Sequence, residues 1–437
     1  MIKVVIPNNN IQEREYVIKT FFNDFLGTSI ELSVEDIPFW LISCNEKSLK
    51  VEDCFFSEFI QPLSYLQLEN IPHSYTEDNL SNHKLVRIWG NGEYKCVGNE
   101  IFLGNDIFAA VFFFLTQWEE VMIRKNQHKN VDEKIDESEL FLVKNHLYNR
   151  CIINEYVDFI RELLNVANVH KFTPILTHDV DRCYLSDERV LCTNVLDMLR
   201  KGQAEKAIKV LTDYLSYPAG ANPFDSFAEL MNQAERGGCK AHFYFKACEL
   251  GDKGYTYSLR DPIVLEMINN IISRKHYIGL HASENTVHSM AKLSAEYAEL
   301  KEKSGVDIED GRTHLLIYDG DIYANLKSVG LKCDSGVGFQ YYNGFRSSIC
   351  YPYYIFDVYE RSTIDIKEIP FNVMDTVSIR QQMSPNEFLE QIRTIIETVK
   401  YYKGYFVSNW HSNLYLVHGR EEFKAVYSQM MNLIKEV

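Results

Sequence analysis

The sequence predicts an α/β protein with two parts, a smaller N-terminal α/β domain (residues 1–170) and a larger C-terminal domain (residues 171–437). A chain of 437 residues exceeds the usual size of a single domain. From Phe172 onward, short apolar runs alternate with amphipathic stretches, and this alternation predicts a parallel sheet or a barrel. The runs are PILTHD, KAHFYFKA, YIGLHA, THLLIYD, EIPFNVMD and GYFVSNWH.

The first 170 residues show strand and helix patterns but no chemical motif. Two β-branched or aromatic runs predict strands, at Lys3–Pro7 and in IPFWLIS. Apolar residues at helical spacing predict helices over Glu13–Leu26, Asn105–Val121 and Tyr156–Val166. The function of this domain is not predicted by its residues.

Composition and charge restrict the classes of partner. The chain is 46% hydrophobic and carries a net charge of −16, which argues against a nucleic acid or an anionic membrane as a partner. Ten cysteines form no C-x-x-C pair, as expected for reduced thiols in the cytoplasm. The start of the sequence lacks a signal-peptide pattern, and the most apolar window, Asp106–Trp118, is too short to span a bilayer. We therefore expect a cytoplasmic protein.

Polar side chains end the apolar runs of the C-terminal domain. In parallel α/β folds the ligand site lies at the carboxyl ends of the strands, so these side chains are expected to converge. Asp179 and Asp181 flank Val180 and so share one face of an extended strand. The full set of strand-end residues is Thr177, His178, Asp179, Asp181, His281, Arg312, His314 and His411.

This set of side chains is the one needed for a divalent metal with an adjacent acid and base. Each residue also has an ordinary structural interpretation: the aspartates can cap backbone amides, and a single buried histidine is more often structural than a ligand. His276, five residues before His281, is interpreted as structural. The motifs H-E-x-x-H, G-x-S-x-G and G-x-G-x-x-G and the Walker loop are absent from the sequence.

The order of the motifs resembles the polysaccharide deacetylase (NodB-homology) family of carbohydrate esterases. The segments that carry this resemblance are LTHDVD, HYIGLHASEN, GRTHLLIYD, DSGVGF, GFRSSICYPY and NWHSN. VVIPNNN and NDIFAAVFFFLTQWEE resemble the N-terminal α/β domain of a bacterial subgroup of that family. The resemblance implies that the C-terminal domain is a distorted (β/α) barrel.

The resemblance also implies a metal site. Asp179 matches the catalytic base of the first motif, and Asp181 matches its metal-binding aspartate. His281 matches the first histidine of an H-x-x-x-H motif, whereas the second histidine is replaced by Asn285. Asparagine is a poor zinc ligand compared with imidazole. His314 is the preferred third ligand, with Asn285 and His178 as alternatives, and the expected ion is zinc, cobalt or nickel.

The remaining family roles fall on Arg312, which would orient the catalytic aspartate, and on His411, the general acid. Asp334 lies in the region of the fourth motif. The expected substrate is an N-acylated sugar, nucleotide-linked or lipid-linked, used in surface polysaccharide or glycoconjugate synthesis. Arg346 in GFRSS is a candidate substrate contact for a phosphate, and the alternative is a structural loop arginine.

Two other functions remain open from the sequence. The replacement at Asn285 is compatible with a non-catalytic sugar-binding protein on a degenerate deacetylase barrel. Related barrels also hydrolyse other amides. The oligomeric state is not predicted.

Overall fold

The computed structural model describes residues 2–80, 82–130, 135–184, 198–216, 224–249, 256–317, 320–415 and 421–436, with residues 192, 195, 196 and 222. Its strands are β1 (Ile2–Pro7), β2 (Ile30–Glu35), β3 (Phe39–Cys44), β4 (Lys47–Glu52), β5 (Thr76–Leu80), β6 (His83–Arg87), β7 (Tyr94–Val97), β8 (Glu100–Leu103), β9 (Thr173–Val180), β10 (Ala241–Phe245), β11 (Tyr277–Ala282), β12 (Asp310–Thr313), β13 (Cys333–Asp334), β14 (Tyr353–Asp357), β15 (Ser362–Glu368), β16 (Val373–Met374) and β17 (Tyr405–Asn409).

Helices alternate with these strands, so the chain is a mixed α/β protein. They are α1 (Ile11–Lys19), α2 (Phe55–Glu58), α3 (Ile107–Thr116), α4 (Trp118–Asn126), α5 (Phe141–Lys144), α6 (Ile152–Leu164), α7 (Ala204–Ser216), α8 (Phe227–Arg236), α9 (Pro262–Ser273), α10 (Met290–Ser304), α11 (Gly320–Val329), α12 (Asp375–Arg380), α13 (Pro385–Tyr402) and α14 (Glu421–Lys435). Within the described ranges, every helix is too short or too polar to cross a membrane.

The chain divides into two compact units, and neither is continuous in sequence. The first unit contains residues 1–174, 315–377 and 391–407, and the second contains residues 175–314, 378–390 and 408–437. The predicted domain boundary at residue 170 stays a prediction.

The first unit is built on a mixed six-stranded sheet with the order β2-β1-β3-β4-β8-β7. β1 pairs parallel with β2 and antiparallel with β3, and its buried Ile2, Val4 and Ile6 line the core. The predicted helix over Asn105–Val121 is two helices in the structure, because Gln117 adopts a left-handed conformation (φ 51°) between α3 and α4. Asp106 caps the buried helix α3 by accepting a hydrogen bond from the Ala109 amide.

The second unit carries four neighbouring parallel strands in the order β9-β10-β11-β12. Helices α9 and α10 occupy two of the crossovers between these strands. Pro262 is at the start of α9, and Ser289 caps α10 through the Lys292 amide. The parallel sheet predicted for this part of the chain is therefore present in the second unit.

The fourth strand of this set ends earlier than the sequence indicates. The run THLLIYD predicts a strand, but β12 stops at Thr313 and His314–Leu316 form a single 3-10 turn. Leu315 and Leu316 have positive φ angles of 66° and 56°, which an extended strand excludes. Tyr318 and Asp319, at the end of that run, lie outside the described residues. The early stop places His314 directly at the strand end.

Candidate metal centre and acid–base site

The strand register brings the predicted site residues to one edge and one face of the second unit's parallel sheet. Val180 pairs with Phe245, Phe245 with Leu280, and Leu280 with Gly311. The next residue on each of the four strands is therefore in register with the others. The side chains of these four residues point to the face of the sheet opposite to that of the apolar residues. They are Asp181, Lys246, His281 and Arg312.

Three side chains form a candidate metal centre at this edge. Asp181 Oδ1 lies 3.7 Å from His281 Nε2 and 3.9 Å from His314 Nε2. One ligand atom from each residue lies within 4.8 Å of the others. Ligand atoms about 2.0–2.2 Å from a shared zinc ion are roughly 3–4 Å apart, so small side-chain movements would complete the site.

Both imidazoles are oriented with Nε2 towards Asp181. His281 Nδ1 lies 3.0 Å from the backbone oxygen of Arg312, and His314 Nδ1 lies 3.2 Å from Glu284 Oε1. Partners of this kind at Nδ1 set the tautomer of metal-binding histidines and leave Nε2 for the ion. Asp181 Oδ1 is buried and accepts no hydrogen bond of acceptable geometry, although it forms an ion pair with Lys246 Nζ at 2.7 Å. These residues therefore fit a divalent ion.

The protonation states suit metal binding. Burial lowers the pKa of His314 to about 3, and the neighbouring His281 and Lys246 act in the same direction. Burial also lowers the pKa of His281, although Asp179 opposes that shift. Burial alone would raise the pKa of Asp181, but Lys246 and the imidazoles outweigh it and hold the pKa below its usual range. Two neutral imidazoles and one carboxylate are thus available at neutral pH.

Asp179 lies beside the metal centre and is held as an anion. Arg312 Nη1 donates to Asp179 Oδ1 at 2.7 Å, and Asn409 Nδ2 donates to Oδ2 at 2.8 Å. Arg312 Nη2 also donates to the hydroxyl of Thr177 at 2.9 Å, which fixes the guanidinium. Burial by itself would raise the pKa of Asp179, but Arg312 and two imidazoles hold it well below its usual range.

His411 completes the cluster from the segment after β17. Its Nε2 atom lies 3.9 Å from Asp179 Oδ2 and 3.9 Å from Asp181 Oδ2. The imidazole is 14% exposed, so one edge of it faces solvent. The structure therefore brings together the predicted base, its arginine, the predicted acid and the three preferred metal ligands.

The two alternative third ligands differ from His314 in their surroundings. The His178 ring is fully buried against Phe243, and its Nδ1 lies 2.8 Å from the Trp410 carbonyl oxygen. His178 alternates with the site residues along β9 and so points to the other face of the sheet. Asn285 lies in the short 3-10 helix Glu284–His288, with a buried Nδ2 atom that makes no hydrogen bond.

Two further predicted residues belong to the first unit. Arg346 is buried, ion-paired with Glu120, and donates to the Gly338 carbonyl at 2.9 Å. These contacts account for a structural arginine, and a substrate contact at Arg346 stays a prediction. Asp334 is buried beside Glu368, and its Oδ2 atom accepts a hydrogen bond from the Gly336 amide at 2.8 Å.

Three residues of the site were missed by the sequence reasoning. Lys246 directly follows the apolar residues of the run KAHFYFKA, as the aspartates follow theirs, so the strand-end rule could have found it. Asn409 precedes His411 by two residues, so both side chains point to the same side at the end of β17. Glu284 carries no recognisable local signal, because its contact with His314 depends on the loop after β11.

Comparisons with known proteins cover different parts of the chain. A family of unknown function (DUF7033) matches residues 2–168. No curated protein matches the chain. Solved structures similar to it include a protein from Mycobacterium smegmatis assigned as a polysaccharide deacetylase, with 16% identity, a TM-score of 0.41, and coverage of 62% of this chain and 87% of that chain.

Two further solved structures are similar to this chain with lower TM-scores. A polysaccharide deacetylase assigned to O-antigen biosynthesis in Bordetella bronchiseptica has 13% identity and a TM-score of 0.30, covering 61% of this chain and 84% of that one. The Xyl-CE4 domain of a multidomain xylanase from the hindgut metagenome of Trinervitermes trinervoides has 12% identity and a TM-score of 0.31, with the same coverage.

Proposed function

We propose that this protein is a metal-dependent hydrolase that removes an N-acetyl or related acyl group from an amino sugar. One arrangement carries the proposal: an ionised Asp179 lies between a set of aligned metal ligands and His411. Asp181, His281 and His314 would hold the ion. A divalent ion bound there would polarise the acyl carbonyl and lower the pKa of a water molecule.

The protein's own groups supply the proton transfers. Asp179 accepts the proton of the attacking water, with Arg312 and Asn409 keeping its carboxylate oriented. His411 donates a proton to the departing amine, because an amine is too basic to leave as an anion. His411 Nε2 is 3.9 Å from Asp179 Oδ2, so the acid and the base act on one small region.

Substitution of the acid and the base tests these roles. We expect Asp179→Asn and His411→Ala each to lower the rate of acetate release by about 10² to 10⁴-fold while zinc content is retained. Asp307→Asn, at an exposed aspartate of the same unit, is the matched control and should leave the rate unchanged. Full activity in either site variant would contradict the assigned role.

Metal content and a substrate panel separate this function from the alternatives. Elemental analysis of the purified chain is expected to find one zinc, cobalt or nickel ion per molecule. Protein that takes up none of these metals would favour a sugar-binding role without catalysis. Assay of acetate and formate release from acylated amino sugars, compared with ring opening of cyclic amides, distinguishes the deacetylase from a hydrolase of another amide.

A further inference from the structure

Lys246 is a buried cation at the centre of the candidate metal site. Its Nζ atom lies 2.7 Å from Asp181 Oδ1, the oxygen that also faces His281 and His314. The side chain is only 7% exposed. The main chain of Lys246 is fixed as well, because its amide donates to the Tyr257 hydroxyl, which in turn donates to the Val180 carbonyl.

The ammonium and a metal ion compete for the same oxygen. Asp181 must turn Oδ1 towards any ion shared with the two histidines, and a divalent cation repels an ammonium a few ångströms away. Lys246 would therefore lose its contact with Asp181 Oδ1 if an ion were bound there. Among the residues that the structure describes, Asp181 is the only acidic group paired with Lys246.

A buried ammonium without a partner is costly, so a site loaded with an ion would need an additional anion beside Lys246. Asp179 does not meet this requirement, because Arg312 and Asn409 already use its two oxygens. The Asp181 side chain is 26% exposed, so solvent reaches the carboxylate that is paired with the ammonium. The net charge of −16 disfavours anionic ligands in general, and a local cation removes that obstacle at this one point.

We propose that Lys246 determines substrate specificity by binding an oxyanion, a phosphate or a carboxylate, carried by the N-acylated sugar. The sugar part of this inference rests on the proposed function. The anion-binding part rests only on the position of Lys246. A phosphate would come from a sugar phosphate or a nucleotide-linked or lipid-linked sugar, and a carboxylate from a uronic acid.

Binding of inorganic phosphate to the zinc-loaded full-length chain tests the anion site directly by calorimetry. We expect Lys246→Met to weaken phosphate binding at least 10-fold. Lys246→Arg, which keeps the charge, should stay within about threefold of the unchanged protein. Lys240 directly precedes β10, at the end of the strand opposite to Lys246. Lys240→Met should therefore leave phosphate affinity unchanged. Equal phosphate affinity in the unchanged protein and in Lys246→Met would overturn the proposal.

Zinc affinity, measured by chelator competition, provides an independent readout. Loss of the competing ammonium should leave zinc binding in Lys246→Met as tight as in the unchanged protein, or tighter. If this variant fails to bind zinc although circular dichroism shows a folded chain, Lys246 acts as a support for Asp181, and the proposal is wrong.

Displacement of phosphate identifies the source of the oxyanion. The probes are N-acetylglucosamine, its 1-phosphate and the corresponding N-acetylated uronic acid. We expect one or both acidic sugars to displace phosphate at least 10-fold better than the neutral sugar, and this preference should disappear in Lys246→Met. Equal displacement by all three sugars would overturn the specificity role. If no sugar displaces phosphate, the sugar hydrolase function fails while the anion site stands.

Discussion

At the scale of single residues, neighbouring charges separate the roles of two aspartates on one strand end. Asp179 and Asp181 are two positions apart and share a face, but Arg312 pairs with the first and Lys246 with the second. The Asp179 oxygens are occupied by hydrogen bonds, whereas Asp181 Oδ1 accepts none of acceptable geometry and faces two imidazoles. The first is thus equipped to act as an oriented base and the second as a ligand.

The third ligand can be tested at the same scale. We expect His314→Ala to weaken zinc binding by roughly 100-fold or more, because it removes one of three donors. Glu284→Gln, which alters the partner of His314 Nδ1, should lower zinc affinity by about 10- to 100-fold. Asn285→Ala should leave zinc affinity unchanged. Chelator competition measures all three, and a large loss in Asn285→Ala alone would assign the third ligand to the asparagine.

At the scale of single elements, strand β11 depends on a glycine two residues before His281. A β-carbon at Gly279 would lie 2.4 Å from the Tyr244 ring and 2.8 Å from the Asp310 carbonyl oxygen. The Tyr244 ring in turn lies 5.1 Å from the Arg312 guanidinium. The glycine therefore allows β10, β11 and β12 to approach closely behind the acid–base site.

Gly279→Ala should consequently destabilise the protein by about 1–3 kcal/mol, as overpacking typically does. Urea unfolding measures the loss. Gly238→Ala is a control, since its β-carbon would meet no atom within 4 Å although the backbone has a positive φ of 74°. We expect the control to cost about 1–2 kcal/mol from backbone strain alone, with no contribution from overpacking. A Gly279→Ala protein as stable as the unchanged chain would show that Tyr244 can move aside.

At the scale of the whole molecule, buried carboxyls outside the metal centre should contribute a loss of stability as the pH rises. Burial raises the pKa of Glu119 from 4.5 to about 8, although the Phe141 amide donates to this carboxyl at 2.6 Å. The folded state thus binds a proton that the unfolded chain has lost. The contribution of Glu119 to stability is complete below pH 4.5 and declines as the pH rises to about 8.

Glu119→Gln should remove this dependence, since an amide keeps the hydrogen bond without ionising. We expect the variant to match the unchanged protein at pH 4 and to exceed its free energy of unfolding by about 1 kcal/mol or more at pH 9. Urea unfolding across this range is the measurement. Glu139→Gln changes an exposed carboxylate and should leave the pH slope as it is. An identical slope in Glu119→Gln would contradict the raised pKa.

The sequence by itself determined the α/β class and most of the strand ends at which the candidate site residues lie. Apolar runs mark β9, β10, β11 and β17 because a buried strand must be apolar, and the polar residues that follow them stand out for the same reason. The alternation of Asp179 and Asp181 about Val180 is a local property of extended backbone, so it too could be predicted. The structure departs from these predictions over short segments. At Gln117 and Leu315, a residue with a positive φ interrupts a segment that the sequence pattern predicts to be one continuous helix or strand.

Only the tertiary structure decided which of the candidate residues meet. His314 becomes a possible third ligand because β12 ends before it and Glu284 turns its ring, and both depend on contacts between segments distant in sequence. Lys246 joins the site through the pairing register of β9 with β10, and Arg346 pairs with Glu120 from a segment more than 200 residues earlier. Side-chain orientation and charge pairing arise from packing between elements, so local patterns in the sequence cannot specify them.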